Sequence, residues 1–183
     1  KIYKIICKSF PVLLSIVSVV IYMRIDQVMI NLLLSESDVG IYSVSVRIVE
    51  MFHFIPKIIM VSYLPILLIS KNYNFELIKI NSLLFKLSIL VIFFIIILSK
   101  YITPILFGEI YTESALTTIL LSLSLIFVFI GVVNEHWYIS KNLQKYYAFN
   151  VFIGAITNII LIFFFIPSFG ISGAAYSTIL TYL

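Results

Sequence analysis

Charge is what this sequence has least of. Aspartate, glutamate, lysine and arginine make up 11% of its 183 residues, where a soluble domain carries about 25%. A soluble fold of this length is excluded, because it would have to hide far more apolar surface than a wet exterior permits. Cysteine is nearly absent. The single Cys7 leaves no internal disulfide and no thiolate metal cluster, and it reads as a small buried apolar residue. No loop between the apolar runs is long enough for a soluble domain, and there is no low-complexity linker. A net charge of +4 is too small to imply a nucleic-acid partner. Lys1–Phe10 carries charge, but a full-length apolar segment without a small-residue cleavage site follows it, so no signal peptide is evident.

What is present is apolar: 62% of the residues are hydrophobic and the mean hydropathy is +1.18. A membrane-spanning helix needs about 20 apolar residues, and five segments meet this. The spacing predicts spans over 11–34, 39–70, 77–99, 113–139 and 144–166, and the start of a sixth over 171–183. Ser9 and Pro11 suit the first helix start. Pro56 and Pro65 are expected to kink the long second helix, and Pro167 to end the fifth. The expectation is an all-α integral membrane protein, a single transmembrane domain running through 1–183. A chain that begins at the base of one helix and ends inside another reads as a fragment of a longer protein.

Lysines set the expected direction. Lys1, Lys4, Lys8, Lys71, Lys79, Lys141 and Lys145 fall on one side of the predicted spans, and only Lys100 lies at the other. Basic residues favour the cytoplasm, which places the first residue inside. Glu36, Asp38, Glu109 and Glu113 lie in the opposite loops.

Ionisable residues at bilayer depth are costly and tend to face a partner or a wet cavity. At 1.5 Å per residue, Arg24 lies about 15 Å from the outer end of the first span, with Asp26 slightly shallower. Arg47 and Glu50 lie about 12 and 17 Å into the second span from the same side. Ser43, Arg47, Glu50, His53 and Lys57 project onto an arc of about 120° on an otherwise apolar helix. Lipid does not tolerate such a stripe, so it should face protein or water. One reading is a basic-lined cavity for an anionic headgroup, in which arginine pairs phosphate bidentately and Asp26 or Glu50 holds a cation or proton. The other is structural pairing of Arg24 with Glu50 and Arg47 with Asp26. Because Arg24 and Asp26 are two positions apart, they cannot share a helix face.

The remaining polar residues read more plainly. Glu135 and His136 sit beside Trp137 and Tyr138 in an interfacial belt, and Lys86 can snorkel. Gly154, Asn158, Gly173, Ala174 and Ala175 read as packing surfaces. Metal-ligand spacing, a nucleophile elbow and a phosphate loop are all missing from the sequence, so it does not read as an enzyme and names no resident cofactor.

Tyr22-Met23-Arg24-Ile25-Asp26-Gln27-Val28-Met29-Ile30 resembles the seventh span of bacterial O-antigen and capsule flippases. These form the polysaccharide-export branch of the multidrug/oligosaccharidyl-lipid/polysaccharide exporter superfamily. Val39-Gly40-Ile41-Tyr42-Ser43 with Arg47, then Phe54-Ile55-Pro56 and Leu64-Pro65, resemble the next span. Leu106-Phe107-Gly108 with Tyr111 resembles the loop before the tenth. Ile166-Pro167, Phe169-Gly170-Ile171 and Gly173-Ala174-Ala175 with Thr178 resemble the turn into the twelfth.

The resemblance covers nearly the whole chain. It implies most of one six-helix lobe of a twelve-helix, two-lobe transporter in the bacterial inner membrane, whose N-terminal lobe lies elsewhere in the same chain. The implied activity is translocation of a polyisoprenoid-diphosphate-linked oligosaccharide by alternating access, alongside glycan polymerase machinery. Arg24 and Arg47 match positions of the pattern and are the expected substrate contacts. Lys57 joins them from the stripe alone. Asp26, Glu50 and His53 are the candidates for coupling or pairing, and coupling to Na⁺ or H⁺ follows by analogy.

Two other readings are set against this one. A cation-drug exporter of the same superfamily would need an acidic cavity, which Arg24 and Arg47 oppose. A membrane enzyme of glycan assembly, a polymerase or acyltransferase, would need large loops.

Overall fold

The structure, a computed structural model, describes residues 23–182 together with Leu13, Val17, Val19 and Val20. Expectations for the rest of the first span, including Ser9, Pro11 and the basic Lys1–Lys8, lie outside the described residues. Among those described there is no strand. The helices are α1 (23–33), α2 (Glu36–Glu50), α3 (Phe54–Ile69), α4 (Tyr73–Phe107), α5 (Ser114–Ser122), α6 (Leu125–Ser140), α7 (Gln144–Phe169) and α8 (Ile171–Tyr182), with a 3₁₀ turn over Glu109–Tyr111. Four stretches among the described residues are long and apolar enough to cross a membrane: Glu36–Ile69, Tyr73–Phe107, Ser114–Ser140 and Gln144–Phe169. This is a multi-pass, all-α membrane protein.

The chain forms two compact units. Gly40–Asn134 makes one, and Lys1–Val39 with Glu135–Leu183 makes the other. In the Gly40–Asn134 unit, α4 buries Ile80, Leu84, Ser88, Ile92, Ile95, Ser99 and Thr103. Their three- and four-residue spacing makes one helical face. It packs against α3 and α5, and α5 buries Ser114, Ala115, Thr117, Thr118, Leu121 and Ser122. The opposite side of α4 exposes Phe85, Ile89, Leu90, Phe93, Phe94, Ile96 and Ile97. Inside, small and hydroxyl residues are interleaved with Ile and Leu, while the outside carries large apolar side chains, as expected where lipid is the solvent.

Helix ends depart from the expected ones for identifiable reasons. The second span does not bend smoothly at two prolines: it stops at Met51-Phe52-His53 and restarts. Pro56 has no N–H to give the carbonyl of Phe52, and the Ile55 N–H takes that carbonyl instead at 3.2 Å. Pro65 stays inside α3.

α4 passes its expected end at Ser99 and runs 35 residues, about 52 Å. Lys100 marks the limit of the apolar run, which is not a reason for the backbone to leave the helix, since a lysine can snorkel. The fourth span breaks at Leu123-Ser124. There the hydroxyls of Ser122 and Ser124 donate to the carbonyls of Ile119 and Leu121 at 2.7 and 2.6 Å, competing with the helix ladder.

α6 ends in a left-handed Asn142 at φ 57°. The N–H of Leu143 reaches Tyr138 O at 2.8 Å, and that of Asn142 reaches Ile139 O at 3.1 Å, a Schellman stop with asparagine in the glycine position. α7 continues two residues past Pro167 and turns at Gly170, φ 59°. α8 then folds back closely along α7. A Cβ on Gly173 would run into the carbonyl of Phe165 and lie 2.9 Å from the Ile166 nitrogen.

Candidate functional site

Among the described residues, a connected polar group is built on α1, α7 and α8. Asp26 is 5% exposed and Asn158 fully buried. Asn158 Nδ2 donates to Asp26 Oδ1 at 2.8 Å, and Thr178 Oγ1 lies 2.9 Å from Asp26 Oδ2. Thr181 Oγ1 reaches Asn158 Oδ1 at 3.2 Å. Each hydroxyl also has a carbonyl of its own helix in reach: Ala174 O at 3.0 Å for Thr178 and Ser177 O at 2.8 Å for Thr181.

Local sequence explains the placement. Thr178 and Thr181 lie three apart on one face of α8, whose start buries only Gly173, Ala174 and Ala175. These small residues let α8 approach α7 closely enough for Thr181 to touch Asn158. Asn158 projects from the same buried stripe of α7 as Ala155, Ile162 and Ile166. A buried carboxylate needs donors on its oxygens, and this cluster supplies one to each.

Arg24 is exposed while Asp26 is buried, so the two residues lie on different sides of α1, as a two-residue spacing requires.

The other candidates belong to the Gly40–Asn134 unit, around the break between α2 and α3. Ser43, Arg47 and Glu50 lie on α2, His53 in the turn and Lys57 one turn into α3. The predicted stripe is therefore not carried by one uninterrupted helix. Arg47 and Lys57 are exposed; Glu50 and His53 are half-buried. The Nε2 of His53 is buried without a hydrogen-bond partner. The break lies within a span that runs from Glu36 to Ile69, and its N–H groups stay bonded back along the chain, Phe52 to Val49 O and His53 to Glu50 O.

Toward the end of α6, Trp137, Tyr138 and Tyr147 form an aromatic cluster, with ring centroids 5.1 and 6.0 Å apart. Tyr138 OH also accepts from Asn150. Between α3 and α4, Tyr63 of α3 donates to Glu76 in the first turn of α4, which lies 3.9 Å from Lys79.

Sequence reasoning singled out Asp26 but assigned Asn158 to packing and gave Thr178 and Thr181 no role at the carboxylate. A lone asparagine among Ile, Phe and Ala is a signal of the right kind, because an amide at that depth needs a partner. Which partner is a tertiary fact: the contacts span 132 and 152 positions. Comparison of the chain with protein families, with curated proteins and with solved structures finds no match.

Proposed function

We propose that this chain moves a polyisoprenoid-diphosphate-linked oligosaccharide across the bacterial inner membrane by alternating access, as part of a twelve-helix, two-lobe flippase. The observation that carries this reading is the interrupted span Glu36–Ile69 with its exposed Arg47 and Lys57. Transporters bind anionic groups near the midplane with broken helices, whose restarted halves aim a positive end at the substrate. Here the span is interrupted at Met51–His53, and the two cations flank the interruption along the sequence. Arginine offers a planar fork of donors to a diphosphate, and a lysine adds a second positive charge. Arg24, exposed on α1, is a further candidate contact for the same anionic cargo by the motif resemblance. The motif resemblance supports the same cargo and puts the first residue in the cytoplasm, consistent with the lysine distribution.

In cells whose surface glycan depends on this protein, Arg47→Ala is expected to lower surface glycan about tenfold at unchanged membrane abundance, since a lost hydrogen bond to a charged group is worth about 1.5–3 kcal/mol. Lys57→Ala should act in the same direction, and Arg47→Lys should recover only part of the loss. Full glycan display by Arg47→Ala at normal abundance would remove the headgroup role. A fall in abundance that matches the fall in glycan would assign Arg47 to folding.

A further inference from the structure

Two lysines stand where α6 turns into α7, Lys141 and Lys145, and both are exposed. From Trp137 to Tyr182 the sequence has no other charged residue and no acid; the nearest acid along the chain, Glu135, is half-buried in α6. The corner between α3 and α4 also has two lysines, Lys71 and Lys79, but there Lys79 already lies 3.9 Å from Glu76.

The α6–α7 turn is held by its own bonds. Ser140 Oγ donates to Trp137 O at 2.8 Å and Gln144 Nε2 to Ile139 O at 3.4 Å, beside the left-handed Asn142. The rings of Trp137, Tyr138 and Tyr147 pack against one another on this corner, and Asn150 fixes the Tyr138 hydroxyl. A corner already ordered loses little further freedom when a ligand docks on it. Indole and phenol side chains, with an apolar body and a polar tip, are the ones that settle at headgroup level.

Below Lys145 the helix turns apolar on the same side. Projected at 100° per residue, Phe149, Phe152, Ile156, Ile160 and Phe163 all lie within about 60° of Lys145, and all five are exposed. From Lys145 to Ile156 the helix rises about 16 Å, the depth of one leaflet of a hydrocarbon core about 30 Å thick. A cation above a leaflet's length of exposed apolar side chains is the complement of an amphiphile with an anionic head. A zwitterionic head brings a cation of its own, which two lysines without an acid repel. We propose that Lys145, with Lys141 from the turn and the aromatic cluster beside it, binds the phosphate of an anionic glycerophospholipid whose acyl chain lies along α7.

Trp137, the single tryptophan of this sequence, reports on the corner. The test is quenching of its fluorescence in the purified full-length protein, in mixed micelles carrying phosphatidylglycerol or phosphatidylcholine with brominated acyl chains. The signal that Trp137→Phe removes is the signal of this corner. Phosphatidylglycerol should quench it at a mole fraction at least about fivefold lower than phosphatidylcholine, since each lysine near a charged headgroup contributes about fivefold in affinity. Lys145→Gln should cut that preference about fivefold, and Lys141→Gln together with Lys145→Gln should abolish it. Lys71→Gln with Lys79→Gln, at the other basic corner, should leave it unchanged. Equal quenching of the wild type by the two lipids, or a preference that survives in the Lys141 and Lys145 double variant, would overturn the proposal. An equal loss in the Lys71 and Lys79 pair would overturn it too, because the attraction would then belong to the surface charge as a whole. No sugar-lipid is present in this measurement, so its failure leaves the cargo reading untouched.

Discussion

Asn158→Leu is expected to lower folding stability by about 3 kcal/mol, the scale of leaving a buried ionised group short of a hydrogen bond. Asn158 is fully buried and gives its amide proton to a carboxylate that is itself 5% exposed. Leucine fills a similar space and supplies no donor, so Asp26 Oδ1 loses the Asn158 hydrogen bond. Thr181 falls back on the Ser177 carbonyl at 2.8 Å and adds little to the loss.

The companion experiment is the double variant Asp26→Leu with Asn158→Leu. Removing both partners removes the unsatisfied charge, and such exchanges are often neutral; Thr178 then donates to Ala174 O. The double variant should therefore be more stable than Asn158→Leu alone. Equilibrium unfolding in mixed micelles measures both. Asn158→Leu within about 0.5 kcal/mol of the wild type, the range of ordinary surface changes, would mean that the amide does not support Asp26.

The second large effect is expected at Gly173. A methyl group there meets backbone rather than a flexible side chain: the carbonyl of Phe165, and the nitrogen of Ile166 at 2.9 Å. Neither can move without opening the turn between α7 and α8. Gly173→Ala should cost about 3 kcal/mol, the upper range for overpacking. Gly131→Ala is the matched control, since a Cβ on Gly131 meets nothing within 4 Å. There the substitution should be neutral or stabilising by up to about 1 kcal/mol, because alanine is the better helix former. Equal effects at the two positions would show that close approach does not hold the hairpin. The consequences of Gly173→Ala should also reach the polar cluster, because Thr178 lies little more than one turn further along α8 and is placed against Asp26 by the same close approach.

Hydropathy made the class of fold legible, because a chain with so few charges can be solvated only by lipid. The break in the second span was only half legible. Pro56 and Pro65 have the same chemistry, yet the chain stops ahead of one and runs through the other. What separates them is whether another N–H can take the orphaned carbonyl, as that of Ile55 does for Phe52, and single-residue propensity does not contain this. The length of α4 was hidden because hydropathy marks where the hydrocarbon ends, while a helix ends where its hydrogen-bond ladder is capped, here at Gly108 with φ 97°. At the site, Asp26 stood out because its charge is costly at depth. Asn158, Thr178 and Thr181 did not, because uncharged polar residues are cheap enough in membrane helices to be common.

The stop at Met51–His53 has a mechanical consequence. An unbroken helix resists bending because each turn is laced to the next by i→i+4 hydrogen bonds. Here the lacing passes for a few residues through shorter bonds, Phe52 N–H to Val49 O and His53 N–H to Glu50 O, both 3.0 Å. A few backbone dihedrals can absorb a swing of one half against the other, which is how hinges work. The second span is thus least stiff between Glu50 and Phe54, and its charged side chains are fixed on either side of a compliant joint rather than along one rigid rod.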